Sequence, residues 1–164
     1  DEEEMLNADP KTYADLGPDH FCSDRYCFAK NCHTQGFMNT LEWKLYKEWF
    51  TWLVSEYVVK PDGIIYLRVE PEICYARLQR RARHEEESVS LDYLMQLHAL
   101  HDRWLVDEQS MPYQEKIPVI TIDGDKEFET DVVQKELLID KIVKAFKLDV
   151  AVVQRIKEEK EQLF

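Results

Sequence analysis

Two short apolar runs constrain the fold of this 164-residue chain more than any other feature: "IIYLRV" at 64–69 and "IPVITID" at 117–123. Both are rich in β-branched residues. The first leaves a Pro61-Asp62-Gly63 turn and meets Pro71, a residue suited to the first turn of a helix; the second closes at Asp123-Gly124. Runs of this kind read as buried strands of a parallel sheet, and the helical stretches between them make the connection a crossover.

Helical periodicity fills the rest. The spacing predicts a helix from Asn39 to about Val59, with Asn39 and Glu42 forming a capping box and Trp43, Tyr46, Phe50, Leu53, Val54 and Tyr57 forming one apolar stripe suited to a core or a subunit interface. A second helix is expected from Pro71 to about Arg83, packing through Ile73, Ala76 and Leu78. A third spans about Leu91 to Val106 on Leu91, Leu94, Met95, Leu97, His98 and Leu105, and a fourth runs from Asp131 to about Lys147 on Val132, Ile139, Val143 and Phe146. Strand, helix, arginine-rich turn, helix, strand, helix is an α/β order. Two strands are few for an open parallel sheet, so the expectation is part of a larger α/β fold.

The organisation reads as an acidic, flexible lead-in at 1–20, one domain at 21–148 and a charged helix or tail at 149–164. A net charge of −12 argues against a nucleic-acid polymer as partner, because phosphate-tracking proteins need a basic face. No window approaches the ~20 apolar residues of a membrane span, so no membrane role is expected. Cys22, Cys27 and Cys32 fall close together near His20 and His33, but their spacing is not that of paired zinc ligands, and free thiols are the favoured reading, with no metal site. His98 and His101 lack the accompanying glutamate of a zinc-protease motif and read as packing or capping residues.

The chemically dense stretch is "RRARHEEE", 80–87. With Arg77 it brings several guanidinium groups to one helix end, where they suit phosphate oxygens or a base plane. Compensation of the helix dipole, with pairing to Glu85–Glu87, is the alternative, and pattern alone favours it.

Five stretches in order, "SDRYCFAKN", "EWKLYKEWFTWL", "DGIIYLRVEPEICYARLQRRARHEEE", "LDYLMQLHALHDRWL" and "IPVITIDGDKEF", resemble the deoxynucleoside kinase family, which includes deoxycytidine, deoxyguanosine and mitochondrial thymidine kinases. The similarity covers roughly residues 22–147. It implies a P-loop kinase-like parallel sheet flanked by helices, and transfer of the ATP γ-phosphoryl group to the 5′-hydroxyl of a deoxynucleoside, with Mg²⁺, in nucleotide salvage. By resemblance, Arg83 is the catalytic lid arginine that stabilises phosphate charge. Arg77, Arg81, Lys126, Glu127 and Phe128 are implied to bind ATP, and Asp24, Phe28 and Glu86 the nucleoside: Asp24 at the base edge, Phe28 stacked on the base, Glu86 at the sugar 3′-hydroxyl. A helix cap or an Arg25 salt bridge for Asp24, and core packing for Phe28, stay open beside these roles. The resemblance also implies a homodimer through the helix at 39–59, and a cytoplasmic or mitochondrial location.

The pattern departs from the family near residue 21. No Gly-x-x-x-x-Gly-Lys loop occurs, and Pro18, Asp19 and His20 stand where the family has Glu-Arg-Ser. The general base on the 5′-hydroxyl and the amino-terminal strand would lie upstream. A truncated product, an alternative first exon or a gene-model error would each produce this break. The expectation is weak or no kinase activity for the chain alone, with a non-catalytic scaffold or dimerisation member of the fold as the alternative.

Overall fold

The computed structural model describes residues 22–108, 117–126, 131–153 and 155. A π-helical turn, Asp24–Phe28, runs into α1, Ala29–Thr34, and then come α2, Thr40–Glu56, and β1, Ile64–Arg68. Helix α3, Pro71–Arg81, is followed by a 3-10 turn at His84–Glu86 and by α4, Leu91–Asp102, which widens into a second π-helical segment, Arg103–Glu108. Strand β2, Val119–Asp123, and α5, Val132–Phe146, complete the order.

The two strands pair in parallel, with Ile64 opposite Val119 and Arg68 opposite Asp123, so the crossover expected from the sequence is present and the chain is a mixed α/β fold. Gly63 admits the close approach of α5: a Cβ there would lie 1.9 Å from Phe146 Cε1. The core gathers Cys22, Cys27, Phe50, Val54, Ile64, Trp104, Leu105 and Ile117, and Tyr26 stacks on Trp104 with centroids 5.1 Å apart. Burial of this kind stabilises by about 25 cal/mol per Å² of apolar surface removed from water.

The start of α2 is as the sequence indicates. Asn39 Oδ1 accepts from the Leu41 and Glu42 N–H groups, while Glu42 Oε2 accepts from the Asn39 N–H at 2.7 Å. Other details differ. Helix α3 stops at Arg81 rather than Arg83, because Ala82 turns left-handed (φ 48°, ψ 46°) while its N–H still reaches Leu78 O. Tyr57, Ala76, Met95 and Val132, expected in apolar stripes, are exposed. Tyr57 and Val132 lie at or beyond helix ends, where the chain leaves the packed layer; the exposure of Ala76 and Met95 shows that the buried arcs of α3 and α4 are narrower than their apolar patterns. The lead-in at 1–20 and most of the tail lie outside the described residues.

Candidate functional site

The arginine-bearing end of α3 lies beside the turn that follows β2. Arg77 directs both terminal nitrogens at backbone carbonyls of that turn, Nη1 to Gly124 O at 2.8 Å and Nη2 to Asp125 O at 2.9 Å. One helical turn on, Arg81 makes a two-pronged contact with Glu86, through Nε at 3.1 Å and Nη2 at 2.5 Å. Arg83 Nη1 stands 3.9 Å from the same carboxylate. The reversal at Ala82 makes this possible, because it folds 83–86 back toward the helix end instead of continuing away from it.

The two halves of "RRARHEEE" therefore meet each other, in the pairing that the sequence left open beside ligand contact. Glu86 is the better shielded partner, with its side chain 20% exposed against 50% for Arg81 and 58% for Arg83. Ion pairs this open to water contribute about 0–1 kcal/mol, so an anionic ligand of higher charge can displace the carboxylate at low cost. Lys126 Nζ lies 4.0 Å from Asp123 Oδ2 on the same turn. Glu127 and Phe128 lie outside the described residues.

Asp24 and Phe28 open and close the first π-helical turn, a backbone form found often at functional sites. The Tyr46 hydroxyl of α2 donates to Asp24 Oδ2 at 2.6 Å. Burial, then this bond, pushes the Tyr46 phenol well above its ordinary pKa, so it stays a donor at all physiological pH values. Arg25 does not pair with Asp24; its guanidinium lies 4.4 Å above the Trp43 ring. Phe28 is 41% exposed, with its ring edge-on to His101 at 6.2 Å, and so is not a fully packed core residue.

A third group went unread in the sequence. Arg68 ends β1 and donates through Nε to both Asp102 oxygens, at 3.1 and 3.0 Å, and through Nη1 to Glu70. Its Nη2 also approaches His98 Nε2 at 2.9 Å, while the Tyr66 hydroxyl donates to Asp102 Oδ1 at 2.9 Å. Burial alone would raise the Asp102 carboxyl, but the hydrogen bonds from Arg68 and Tyr66, with nearby positive charge, hold it below the usual carboxylate range. The available signals were an arginine inside an apolar strand and a tyrosine hydroxyl in an apolar stripe, both of which need partners once packed.

Among the described residues no three His, Cys, Asp or Glu side chains come together to hold a metal ion. Nor does a disulfide form among the four cysteines. Burial pushes the Cys27 thiol up to about 12, which leaves it protonated and inert at neutral pH. No described helix is long and apolar enough to cross a membrane.

A sequence model of the family "Deoxynucleoside kinase" matches residues 11–147, beginning ahead of the motifs that carry the resemblance. The chain is 40% identical over 125 residues to "Deoxycytidine kinase 2" of Gallus gallus, covering 73% of this chain and 47% of that protein. It is 43% identical over 129 residues to "Deoxyguanosine kinase, mitochondrial" of Xenopus laevis, covering 76% and 48%, and 35% identical over 125 residues to human "Deoxycytidine kinase", covering 73% and 47%. The chain spans about half the length of these curated relatives. Matched by the family model over most of its length, the chain belongs to the deoxynucleoside kinase family.

Proposed function

We propose that this chain carries the donor-side lid and one rim of the acceptor pocket of an ATP-dependent deoxynucleoside kinase. The observation that carries the reading is the cluster at the end of α3, where Arg81 and Arg83 converge on Glu86 across a single left-handed residue. In the reaction, the deoxynucleoside 5′-oxygen attacks the γ-phosphorus of ATP, the bond from that phosphorus to the β,γ-bridging oxygen breaks, and ADP leaves. The hydroxyl proton passes to a general base outside this cluster.

Such transfers depend on positioning and on neutralising charge that spreads over the phosphoryl oxygens. Arg81 and Arg83 suit that task, because guanidinium forks match phosphate oxygens in pairs. When phosphates engage them, Glu86 is released to accept a hydrogen bond from the sugar 3′-hydroxyl. Asp24, with one oxygen already held by Tyr46, offers its other oxygen to a base edge, and half-exposed Phe28 offers a stacking face. Arg77, Lys126, Glu127 and Phe128 belong to the donor side, the last three in the loop after β2 that contacts the donor's adenine base. Mg²⁺ enters as the ion that accompanies ATP; its chemistry is charge neutralisation on the phosphates, and no described carboxylate cluster is assigned to it.

A specific observation favours a second role. Leu41, Leu45, Trp49 and Trp52 are all exposed on α2 at helical spacing, opposite its buried face. A second copy of the chain is the occupant that covers such a stripe most simply, giving a homodimer and, if catalysis is lost, a scaffold.

A phosphoryl-transfer assay with ATP-Mg²⁺ and each deoxynucleoside tests the first role, alongside melting with and without ligands. The 164 residues contain no Gly-x-x-x-x-Gly-Lys loop, so the expected result is ligand-dependent melting with very slow turnover. Turnover within the ordinary kinase range of about 1–100 s⁻¹ would overturn the weak-activity part. Melting that ignores ATP and every deoxynucleoside, in a stable dimer, would leave the scaffold role alone.

A further inference from the structure

The Arg77 guanidinium is engaged end-on. Both terminal nitrogens donate to consecutive carbonyls of the turn after β2, those of Gly124 and Asp125. The remaining backbone groups of these two residues are also bonded. The Gly124 N–H donates to Arg68 O at 2.8 Å, and the Asp125 N–H donates to Asp123 Oδ1 at 3.0 Å. The Asp125 side chain accepts from the Glu70 N–H at 2.8 Å, which ties the turn to the start of α3 as well as to its middle. Gly124 is packed so closely that a Cβ would fall 2.7 Å from Val69 Cγ2. The turn is thus fully satisfied from within the protein, and Arg77 supplies half of its backbone partners.

We infer that Arg77 is a positioning residue: its guanidinium fastens the turn after β2 to helix α3, so that the segment leading into Lys126 and the arginines at the helix end form one body. This inference deepens the donor-site reading and rests on it for the identity of the ligand. With both terminal nitrogens on carbonyls, Arg77 has its end-on pair of donors committed to the turn and keeps only the side face at Nε for a phosphate, whereas the turn it holds leads into the residues assigned to the donor's base. Arg77 then acts on ATP through the shape of that turn, and Arg81 and Arg83 act on the phosphates. Lysine cannot replace it, because a single ammonium on a flexible stem does not reproduce a planar two-point clamp.

Amide hydrogen exchange on the full chain tests the clamp with Arg77→Lys, which keeps the charge, and Arg77→Met, which keeps the aliphatic stem. The expected result is exchange about tenfold faster at Gly124, Asp125 and Lys126 in both variants, a loss equivalent to one or two net hydrogen bonds, with the amides of α4 unchanged. Wild-type protection of the turn in Arg77→Lys would overturn the inference. Calorimetric titration with ATP and with inorganic tripolyphosphate then separates base from phosphate. Positioning predicts about tenfold weaker ATP binding with tripolyphosphate affinity held within about twofold, because one or two net hydrogen bonds are lost on the base side only. Equal losses for both would overturn the role in base reading and make Arg77 a phosphate ligand. If the unaltered chain binds neither compound, the donor-site reading fails, while the exchange result still decides the clamp.

Discussion

Ala82 shows how a single residue sets the geometry of the arginine-rich turn. At φ 48° it occupies the left-handed region, which costs a side-chain-bearing residue about 1–2 kcal/mol relative to glycine. Ala82→Gly is therefore expected to stabilise the chain by about 1 kcal/mol or somewhat less, since glycine also gains freedom in the unfolded state, and to raise the melting midpoint by roughly 2–4 °C. A lower midpoint in thermal unfolding would show that Ala82 is not strained. His101 and Asp102 make a separate prediction, about acid. Burial, opposed by a bond to the Leu97 carbonyl, holds the His101 pKa below its ordinary value, and the Asp102 carboxyl is held low despite its own desolvation. Both shifts are downward, so both groups contribute stability above their unfolded pKa values and lose it as pH falls. The losses start below about 6.5 for the histidine and below about 4 for the aspartate. In urea titrations from pH 8 to pH 3, His101→Gln is expected to flatten the upper part of the stability profile. Asp102→Asn is expected to flatten the lower part and to cost about 1–2 kcal/mol at pH 7, through the lost charge-assisted bonds to Arg68 and Tyr66. The Arg68 network was invisible beforehand because its members come from β1, the start of α3 and α4, and only the packed crossover brings them together.

At the scale of elements, both strands, the parallel crossover and all four long helices could be read from periodicity and capping. Asn39 with Glu42, Pro71 and the Gly124 turn are local signals whose chemistry does not depend on distant neighbours. The strands were overestimated by one residue at the end of β1 and by two at the start of β2, since apolar composition runs past the paired residues at Val69 and at Ile117-Pro118. What periodicity could not supply was the second face of α2. Trp43, Phe50 and Val54 mark the buried side, and the same helix carries Leu41, Leu45, Trp49 and Trp52 on the exposed side, so a search for one stripe finds one and stops. If the exposed stripe joins two copies, Leu45→Lys with Trp49→Lys places four like charges across a two-fold contact. Light scattering should then report a mass halved relative to the unaltered chain. The melting midpoint measured on dilute monomer should stay within about 0.5 kcal/mol of equivalent stability, because both side chains are exposed, Leu45 at 50% and Trp49 at 62%. A mass unchanged by the double substitution would remove α2 from the interface.

For the molecule as a whole, stability is set by a small sheet and a large excess of one charge. The described residues contain one two-stranded sheet, with Ile65 and Leu67 of β1 exposed, so less apolar surface is removed from water than in an open sheet covered on both faces. Against that limited burial stand 33 acidic side chains and 21 basic ones. Their ion pairs, Arg81 with Glu86 and Arg103 with Glu108 among them, are solvent-exposed and short in reach, whereas the repulsion of a net charge of −12 acts over the whole surface. Salt weakens both, but unequally: the screening length falls from about 30 Å at 0.01 M to about 8 Å at 0.15 M, which removes long-range repulsion while leaving contacts at hydrogen-bond distance largely intact. The melting midpoint is therefore expected to rise by a few degrees, on the order of 1 kcal/mol, between 0.01 and 0.2 M NaCl. The Arg68→Met variant, which lacks the cation shared by Asp102 and Glu70, should gain more from the same salt, because its net charge is one unit more negative and both carboxylates lose their counter-charge. A midpoint that falls with salt in the unaltered chain would mean that paired charges, and not the excess acid, govern its electrostatics.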